Sequence, residues 1–195
     1  MNSRYQIVLA STSPFRKELL ARLGLVFTTV SPNVDESAKV NELPQDLVVR
    51  LAKEKAWAVM DECPAALIIG SDQVASIGGK ILGKPGSRSR AIAQLEDASG
   101  KRITFYTGLC LLNTDTGKVQ TACEPFHVHF RNLSRGGIES YLDAEQPYQC
   151  AGSFKSEGLG ISLFERLEGD DPNALIGLPL IQLVSMLAKE GVQVP

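Results

Sequence analysis

Imidazoles, thiols and indoles are scarce in this chain. Its 195 residues hold two histidines, four cysteines and one tryptophan. Cys63, Cys110, Cys123 and Cys150 are widely spaced and form no C-x-x-C pair. That spacing argues against a thiolate metal centre or a disulfide framework, and for reduced, buried thiols. His127 and His129 stand at i and i+2, on one face of a strand, with no third ligand in sight; the pair is read as structural. A Ser–His hydrolase would need a nucleophile-elbow motif, and there is none. Also lacking is any apolar run long enough to span a membrane. The opening "MNSRYQIVLAS" has one arginine and no leader-type apolar region, so a cytoplasmic protein is expected. Finally, there is no excess of one charge: 20 Lys and Arg against 22 Asp and Glu leave a net −2. This excludes a broad basic face for nucleic acid or an anionic membrane, so any nucleotide site must be local.

What is present is ordinary globular material, 44% hydrophobic and 22% charged. No repeat, low-complexity tract or linker divides it, and residues 1–195 read as a single domain. "QIVLAS" is a short strand. Ser13 is a natural N-cap and Pro14 a natural first helical residue. Leu19, Leu20 and Leu23 then recur at helical spacing up to Gly24. "FTTVSP" reads as a strand and "NVDES" as a polar loop. "PQDLVVRLAKEKAWAVMDEC" reads as a long helix with Leu47, Leu51, Ala52, Ala56 and Val59 on one face. "ALIIG" is a buried strand, and "QVASIGGKIL" a hairpin turning on Gly78 and Gly79. A helix "SRAIAQLEDASG", two long strands around "NTDTGK", a helix "SRGGIESYLDAE", a glycine-rich loop "GSFKSEGLG", a short strand "ISLFERLEG" and a terminal helix "PLIQLVSMLAKEG" complete the chain. The alternation argues for an α/β or α+β protein with a mixed sheet. Residues 78–86 and 152–160, rich in glycine and proline, are the expected walls of a cleft between lobes.

Several polar clusters have a chemical reading and a plain one. "STSPFRK" is a hydroxyl-rich corner feeding a helix start, where backbone N–H groups and the helix dipole attract an anion and Arg16 or Lys17 adds charge. Its plain reading is an N-cap with solvated bases. Asp35 and Glu36 in "VDES" are oxygen ligands for a hard divalent cation, or a solvated turn. Asp72 in "IIGSDQV" lies just beyond a fully apolar run, where ligands gather in open α/β sheets. A carboxylate there suits a general base or a metal ligand; the alternative is a turn-forming aspartate. Lys84 in "LGKPGS" and Lys53 and Lys55 in "AKEKA" suit phosphate neutralisation, or are surface cations. Lys155, Ser156 and Glu157 lie between glycines in a loop that is either a ligand clamp or simply exposed. Carboxylates for a divalent metal, combined with bases for phosphates, suggest hydrolysis at phosphorus.

The segments "LASTSPFRKELL", "VDES", "LAKEKA", "IIGSDQV", "GKP", "FYTGL", "AGSFKSEGLGI" and "GLPL" resemble, in order and spacing, the Maf family of nucleoside triphosphate pyrophosphatases. The resemblance covers about Ile7 to Leu187. It implies an α/β fold, a mixed twisted sheet with helices on its faces and a deep cleft between two lobes, similar to inosine triphosphate pyrophosphatases. The implied reaction splits a nucleoside triphosphate into monophosphate and diphosphate with Mg²⁺ or Mn²⁺. By resemblance Asp72 is the proton acceptor, and Ser11, Arg16, Glu36, Lys55 and Lys84 match the family's cleft positions. Glu36 and Asp72 are then the metal ligands, and Arg16, Lys55 and Lys84 act on the phosphates, with Ser11, Ser13 and Lys155 as substrate contacts. A homodimer is common in such folds.

Three positions depart from the commonest pattern of the family. Phe15 stands where an arginine is usual, Gln73 follows the aspartate where threonine is frequent, and Glu157 replaces a glutamine. The usual residues mark a branch acting on dTTP and UTP; those here resemble the branch acting on 7-methyl-GTP. Physical chemistry agrees. N7-methylated guanine is cationic, and an aromatic face attracts it by about 0.5–2 kcal/mol. A glutamate accepts two hydrogen bonds from the guanine N1–H and N2–H₂ edge, which pyrimidines lack. Phe15 is therefore expected to stack on the base, Glu157 to read its edge and Gln73 to shape the pocket; a core staple is the other reading of Phe15. The alternatives are a dTTP/UTP pyrophosphatase, or a nucleotide-binding regulator of cell division without turnover, since the family name is linked to inhibition of septum formation.

Overall fold

A computed structural model describes residues 5–194. Residues 1–4, part of the opening segment read as leaderless, and residue 195 lie outside the described residues. In chain order the elements are β1 (Gln6–Ala10), α1 (Pro14–Ala21), β2 (Phe27–Val30), α2 (Pro44–Ala58), β3 (Ala66–Ile77), β4 (Lys80–Leu82), α3 (Arg88–Ala98), β5 (Arg102–Asn113), β6 (Val119–Phe130), α4 (Arg135–Glu145), β7 (Phe164–Glu168), α5 (Pro172–Ile176) and α6 (Leu180–Lys189). The strands form a seven-stranded sheet in the order β2-β1-β3-β5-β6-β7, with β4 on β3. It is mixed, as expected: β1 pairs in parallel with β2 and β3, while β3–β4 and β6–β7 are antiparallel. The hairpin turns on Gly78 and Gly79, both at positive φ.

The structure departs from the sequence expectations in four places. β3 is one 12-residue strand, so Asp72 lies inside it and not past its end. The apolar pattern broke at Ser71 because this stretch buries polar side chains that have partners, Ser71 and Asp72 among them. The last strand starts late, since residues Leu159–Leu163 form a 3-10 turn. The short helix α5 was not foreseen. Cys63 and Cys110 are buried free thiols, while Cys123 and Cys150 are free and only half-buried.

Contacts group the chain into two compact units. The first comprises Met1–Gln73, Thr107–Glu124 and Asp171–Pro195; the second comprises Val74–Tyr106 and Pro125–Asp170. Strands β3, β5 and β6 run through both.

The first unit is a three-layer sandwich dictated by strand alternation. Ile7 and Leu9 of β1, Leu67 and Ile69 of β3, and Leu109 and Leu111 of β5 pack with Leu19 and Leu20 of α1 and with Leu183 and Leu187 of α6. The intervening Val8, Ala10, Ala66, Ile68, Cys110 and Leu112 pack with Ala52 and Ala56 of α2. Thus α1 and α2 cover opposite faces. The chain winds from β1 through α1 to β2 on one side, then through α2 to β3 on the other. The winding reverses between β1 and β3, and the carboxyl ends of those two strands are where such a sheet holds ligands.

Helix α2 sits unusually close to the sheet. A Cβ at Gly70 would lie 2.1 Å from the Ala52 carbonyl oxygen, and one at Gly108 2.1 Å from that of Val48. Only glycine permits this backbone-on-backbone approach. It fixes the height of α2, and so of Lys55.

The second unit has its own core. Phe154 makes edge-to-face contacts with Phe105, Phe130 and Phe164 at centroid separations of 4.8–5.4 Å.

Candidate active site

The β1–β3 ladder ends where Ala10 pairs with Gly70. Beyond it β1 continues into Ser11–Ser13 and β3 into Ser71–Gln73, so polar residues begin where the parallel pairing stops. Although Asp72 is internal to its strand, it still lies at the carboxyl end of the parallel ladder, the place its sequence context indicated.

Alternation sends Asp72 to the α2 face. There the Lys55 ammonium lies 2.6 Å from Asp72 Oδ1 and 2.6 Å from Glu36 Oε1. Lys55 and Asp72 are 6% and 7% exposed, which makes their pairing obligatory: a buried charge without a partner is strongly destabilising. Glu36 comes from the open loop between β2 and α2. Among the described residues, no hydrogen bond reaches Asp72 Oδ2.

Arg16, in the first turn of α1, donates from Nε to the Gly177 carbonyl at 2.8 Å. Burial lowers its pKa, and the Asp72 and Glu36 carboxylates oppose that shift. These two acids therefore lie within electrostatic reach of the guanidinium as well as of Lys55. The helix start itself is less open to anions than expected. Ser11 Oγ accepts from the Ser13 amide at 3.1 Å, Ser13 Oγ accepts from the Arg16 amide at 3.4 Å, and Pro14 has no N–H. The hydroxyls cap the corner, and the side chain of Arg16 carries its charge. Phe15 follows Pro14 and is partly exposed, not sunk in the core.

Ser71 and Gln73 point to the opposite face, onto α5 and the turn after it. Ser71 Oγ is 2.8 Å from the Gly108 carbonyl and 2.9 Å from that of Gly177. Gln73 Nε2 lies within 3.1 Å of Thr107 Oγ1 and of the Ala174 and Leu175 carbonyls, and Thr107 donates to Ala174 at 2.8 Å. Buried Asp171 organises this segment: it accepts from the Asn173 amide and side chain and from the Ile181 amide, each at 2.8 Å.

Lys84, Lys155 and Glu157 belong to the second unit. Lys84 and Glu157 are exposed, and Lys155 is half-buried. Burial raises the Cys150 thiol pKa; Glu157 and Glu145 push the same way, while Lys155 and Lys84 oppose. All three expected residues are thus within electrostatic reach of Cys150. Their loop is tied to α4, because Tyr141 OH accepts from the Lys155 amide at 3.1 Å and Glu145 from the Leu159 amide at 2.8 Å. His127 bonds Thr104 at 3.0 Å and His129 meets Glu168 at 3.0 Å, which fits their structural reading.

Sequence reasoning missed Ser71 and Thr107, which donate to backbone carbonyls, and Asp171, which accepts from backbone amides; such contacts leave no spacing to read. It also missed Arg50 and Glu42. Their one trace is the i,i+4 spacing of Arg50 and Glu54 on α2.

Among the described residues no group of three or more His, Cys, Asp or Glu could hold a metal ion. Glu36 and Asp72 nonetheless converge on one cation, the Lys55 ammonium. Two hard carboxylates of this kind are a donor set that suits Mg²⁺ or Mn²⁺ when substrate phosphates supply further oxygens. No helix among the described residues is long and apolar enough to cross a membrane.

Three comparisons bear on this arrangement. The chain is 62% identical over 189 residues to a 7-methyl-GTP pyrophosphatase of Alcanivorax borkumensis, covering 97% of this chain and 96% of that one. It is 60% identical to the protein of that name from Pseudomonas syringae pv. tomato and 58% to that of Aliivibrio fischeri, each over 97% of this chain and 98% of the relative. Among solved structures, the Staphylococcus aureus Ham1 protein is similar with a TM-score of 0.54 at 14% identity, over 95% of this chain and 99% of that one. That likeness concerns the fold alone. The sequence profile described as Maf-like protein matches residues 6–190, and the chain belongs to the Maf family.

Proposed function

We propose that this chain is a nucleotide diphosphatase that hydrolyses 7-methyl-GTP to 7-methyl-GMP and diphosphate, clearing a modified nucleotide in the cytoplasm. The observation that carries the chemistry is the convergence of Glu36 and Asp72 on Lys55, within electrostatic reach of Arg16. The name shared by its relatives supports the substrate. Residues 1–195 act as one functional domain on this reading, since three strands are common to both units.

Lys55 occupies Asp72 Oδ1 and leaves Oδ2 to take the proton of the water that attacks the α-phosphorus. Arg16, Lys55 and Lys84 offset charge on the phosphoryl oxygens and the departing diphosphate. Ser11, Ser13 and Lys155 contact the substrate. Glu36 and Asp72 would hold Mg²⁺ or Mn²⁺, which neutralises and orients the triphosphate when bound. Phe15 stacks on the cationic base and Glu157 accepts from its N1–H and N2–H₂ edge. Gln73 shapes the pocket by fixing the Ala174 and Leu175 carbonyls.

Diphosphate release from 7-methyl-GTP, GTP, dTTP and UTP, with and without a chelator, tests the reading. The expected result is the highest kcat/KM for 7-methyl-GTP and loss of release on chelation. A preference for dTTP or UTP would place the chain in the other branch, and tight binding without release would make it a regulator.

A further inference from the structure

The loop between β2 and α2 carries Glu36, lacks regular secondary structure and is exposed at most positions. Ordering such a segment costs about 1–2 kcal/mol per residue in backbone entropy, so something must hold it. One guanidinium does much of this. Arg50 Nε donates to Glu42 Oε1 at 2.6 Å, Nη2 to Glu42 Oε2 at 2.8 Å and to the Ser37 carbonyl at 3.0 Å, and Nη1 to Glu54 Oε2 at 2.9 Å. Glu42 Oε2 also accepts from the Lys39 amide at 2.9 Å. The loop is thereby gripped at Ser37, the residue after Glu36, and again at Glu42. The grip is largely shielded from water: the Arg50 and Glu42 side chains are 17% and 9% exposed. The planar fork is what allows one side chain to reach a carboxylate, a carbonyl and a second carboxylate at once. Arg50 sits on α2, the helix that also carries Lys55, so one rigid element holds both the tether of Glu36 and its partner.

We propose that Arg50 is a positioning residue for the hydrolysis: by clamping Ser37 and Glu42 onto α2 it holds Glu36 at Lys55 and Asp72. This rests on the reading of Glu36 as a site residue.

The test is a double-mutant cycle on the full chain with Glu36→Gln, Arg50→Met and the pair, with Arg50→Lys and Glu42→Gln as milder variants. Three quantities are read: kcat/KM for diphosphate release, the Mg²⁺ concentration giving half-maximal rate, and tryptic cleavage after Lys39 in the protein without substrate. Arg50→Met is expected to lower kcat/KM by about ten- to hundredfold, raise the Mg²⁺ requirement and speed cleavage at Lys39. Arg50→Lys, which keeps the charge but not the fork, should recover part of each, and Glu42→Gln should show the same pattern more weakly. In the Glu36→Gln background, Arg50→Met should cost no more than about twofold. If the two losses multiply independently, or if Arg50→Met only lowers the Tm, the positioning role is wrong. A slowed Glu36→Gln with an unaffected Arg50→Met overturns the tether alone. An unaffected Glu36→Gln overturns the site reading together with it.

Discussion

Arg16 and Ser71 share one acceptor. The Gly177 carbonyl oxygen lies 2.8 Å from Arg16 Nε and 2.9 Å from Ser71 Oγ, so a residue of α1 and a residue of β3 are pinned to the same backbone atom. With Nε committed to Gly177, the two Nη groups are the part of the guanidinium that the proposed function assigns to phosphate. A lysine ammonium has three donors but is a single point charge without the planar fork, so it cannot keep the Gly177 bond and aim a second, separate edge at phosphate. Arg16→Lys is expected to fold with a nearly unchanged Tm and to lose about a hundredfold in kcat/KM for diphosphate release. Near-full activity would mean that the bond to Gly177 does not orient the charge.

Asp72→Asn preserves shape and can still accept from Lys55, while Glu36 keeps that ammonium paired. The fold should survive, as judged by far-UV circular dichroism and Tm. Turnover should fall by about 10²–10⁴, the range for removing a general base. A variant retaining most of its turnover would remove Asp72 from the chemistry.

Gly70→Ala puts a methyl 2.1 Å from the Ala52 carbonyl oxygen, backbone against backbone. Helix α2 must lift, at a cost of about 1–3 kcal/mol or more. Since α2 carries Lys55, activity should fall further than the change in stability explains when assayed well below the new Tm. Equal Tm values for variant and parent would show that the helix can shift freely.

Glu42 is one source of pH-dependent stability. Its hydrogen bonds from Arg50 hold the carboxyl down at about 2, against an ordinary value of 4.5. Between those values the unfolded chain binds the proton and the folded chain does not. The contribution to stability is therefore complete above about pH 4.5 and is lost as the pH falls towards 2. Calorimetric Tm values across that window should fall more steeply with acid for the parent than for Arg50→Met. Parallel curves would show that the pair contributes nothing to the acid response.

The sequence made the frame legible because the frame is periodic. Short unbroken apolar runs marked β1 and β3, a helical stripe marked α2, and Ser13 with Pro14 marked the start of α1. Asp72, Lys55 and Glu36 could be singled out by residue type and resemblance, but not that one ammonium would bind both acids. That contact depends on Gly70 and Gly108 admitting α2 so closely, and a glycine in a strand reads only as a weakness. Helix α5 was invisible because its five residues are held by one buried carboxylate, Asp171, and not by a repeating pattern. Arg50 has no local feature that sets it apart from any base on an amphipathic helix. Its partners lie in a loop whose path no local rule determines.

The division of labour between the faces of β3 has a consequence for folding. Even-numbered residues lead to Asp72 beside α2, and odd-numbered ones lead through Ser71 to Gln73 against the carbonyls of α5. A slip of one residue along β1 would exchange them. A carboxylate would then face backbone oxygens with no donor between them, and an amide would meet a buried ammonium in place of its counter-ion. The buried polar groups of β3 thus act as a second register lock in addition to the hydrophobic one. A misthreaded chain would be penalised at the site itself, before it ever met a nucleotide.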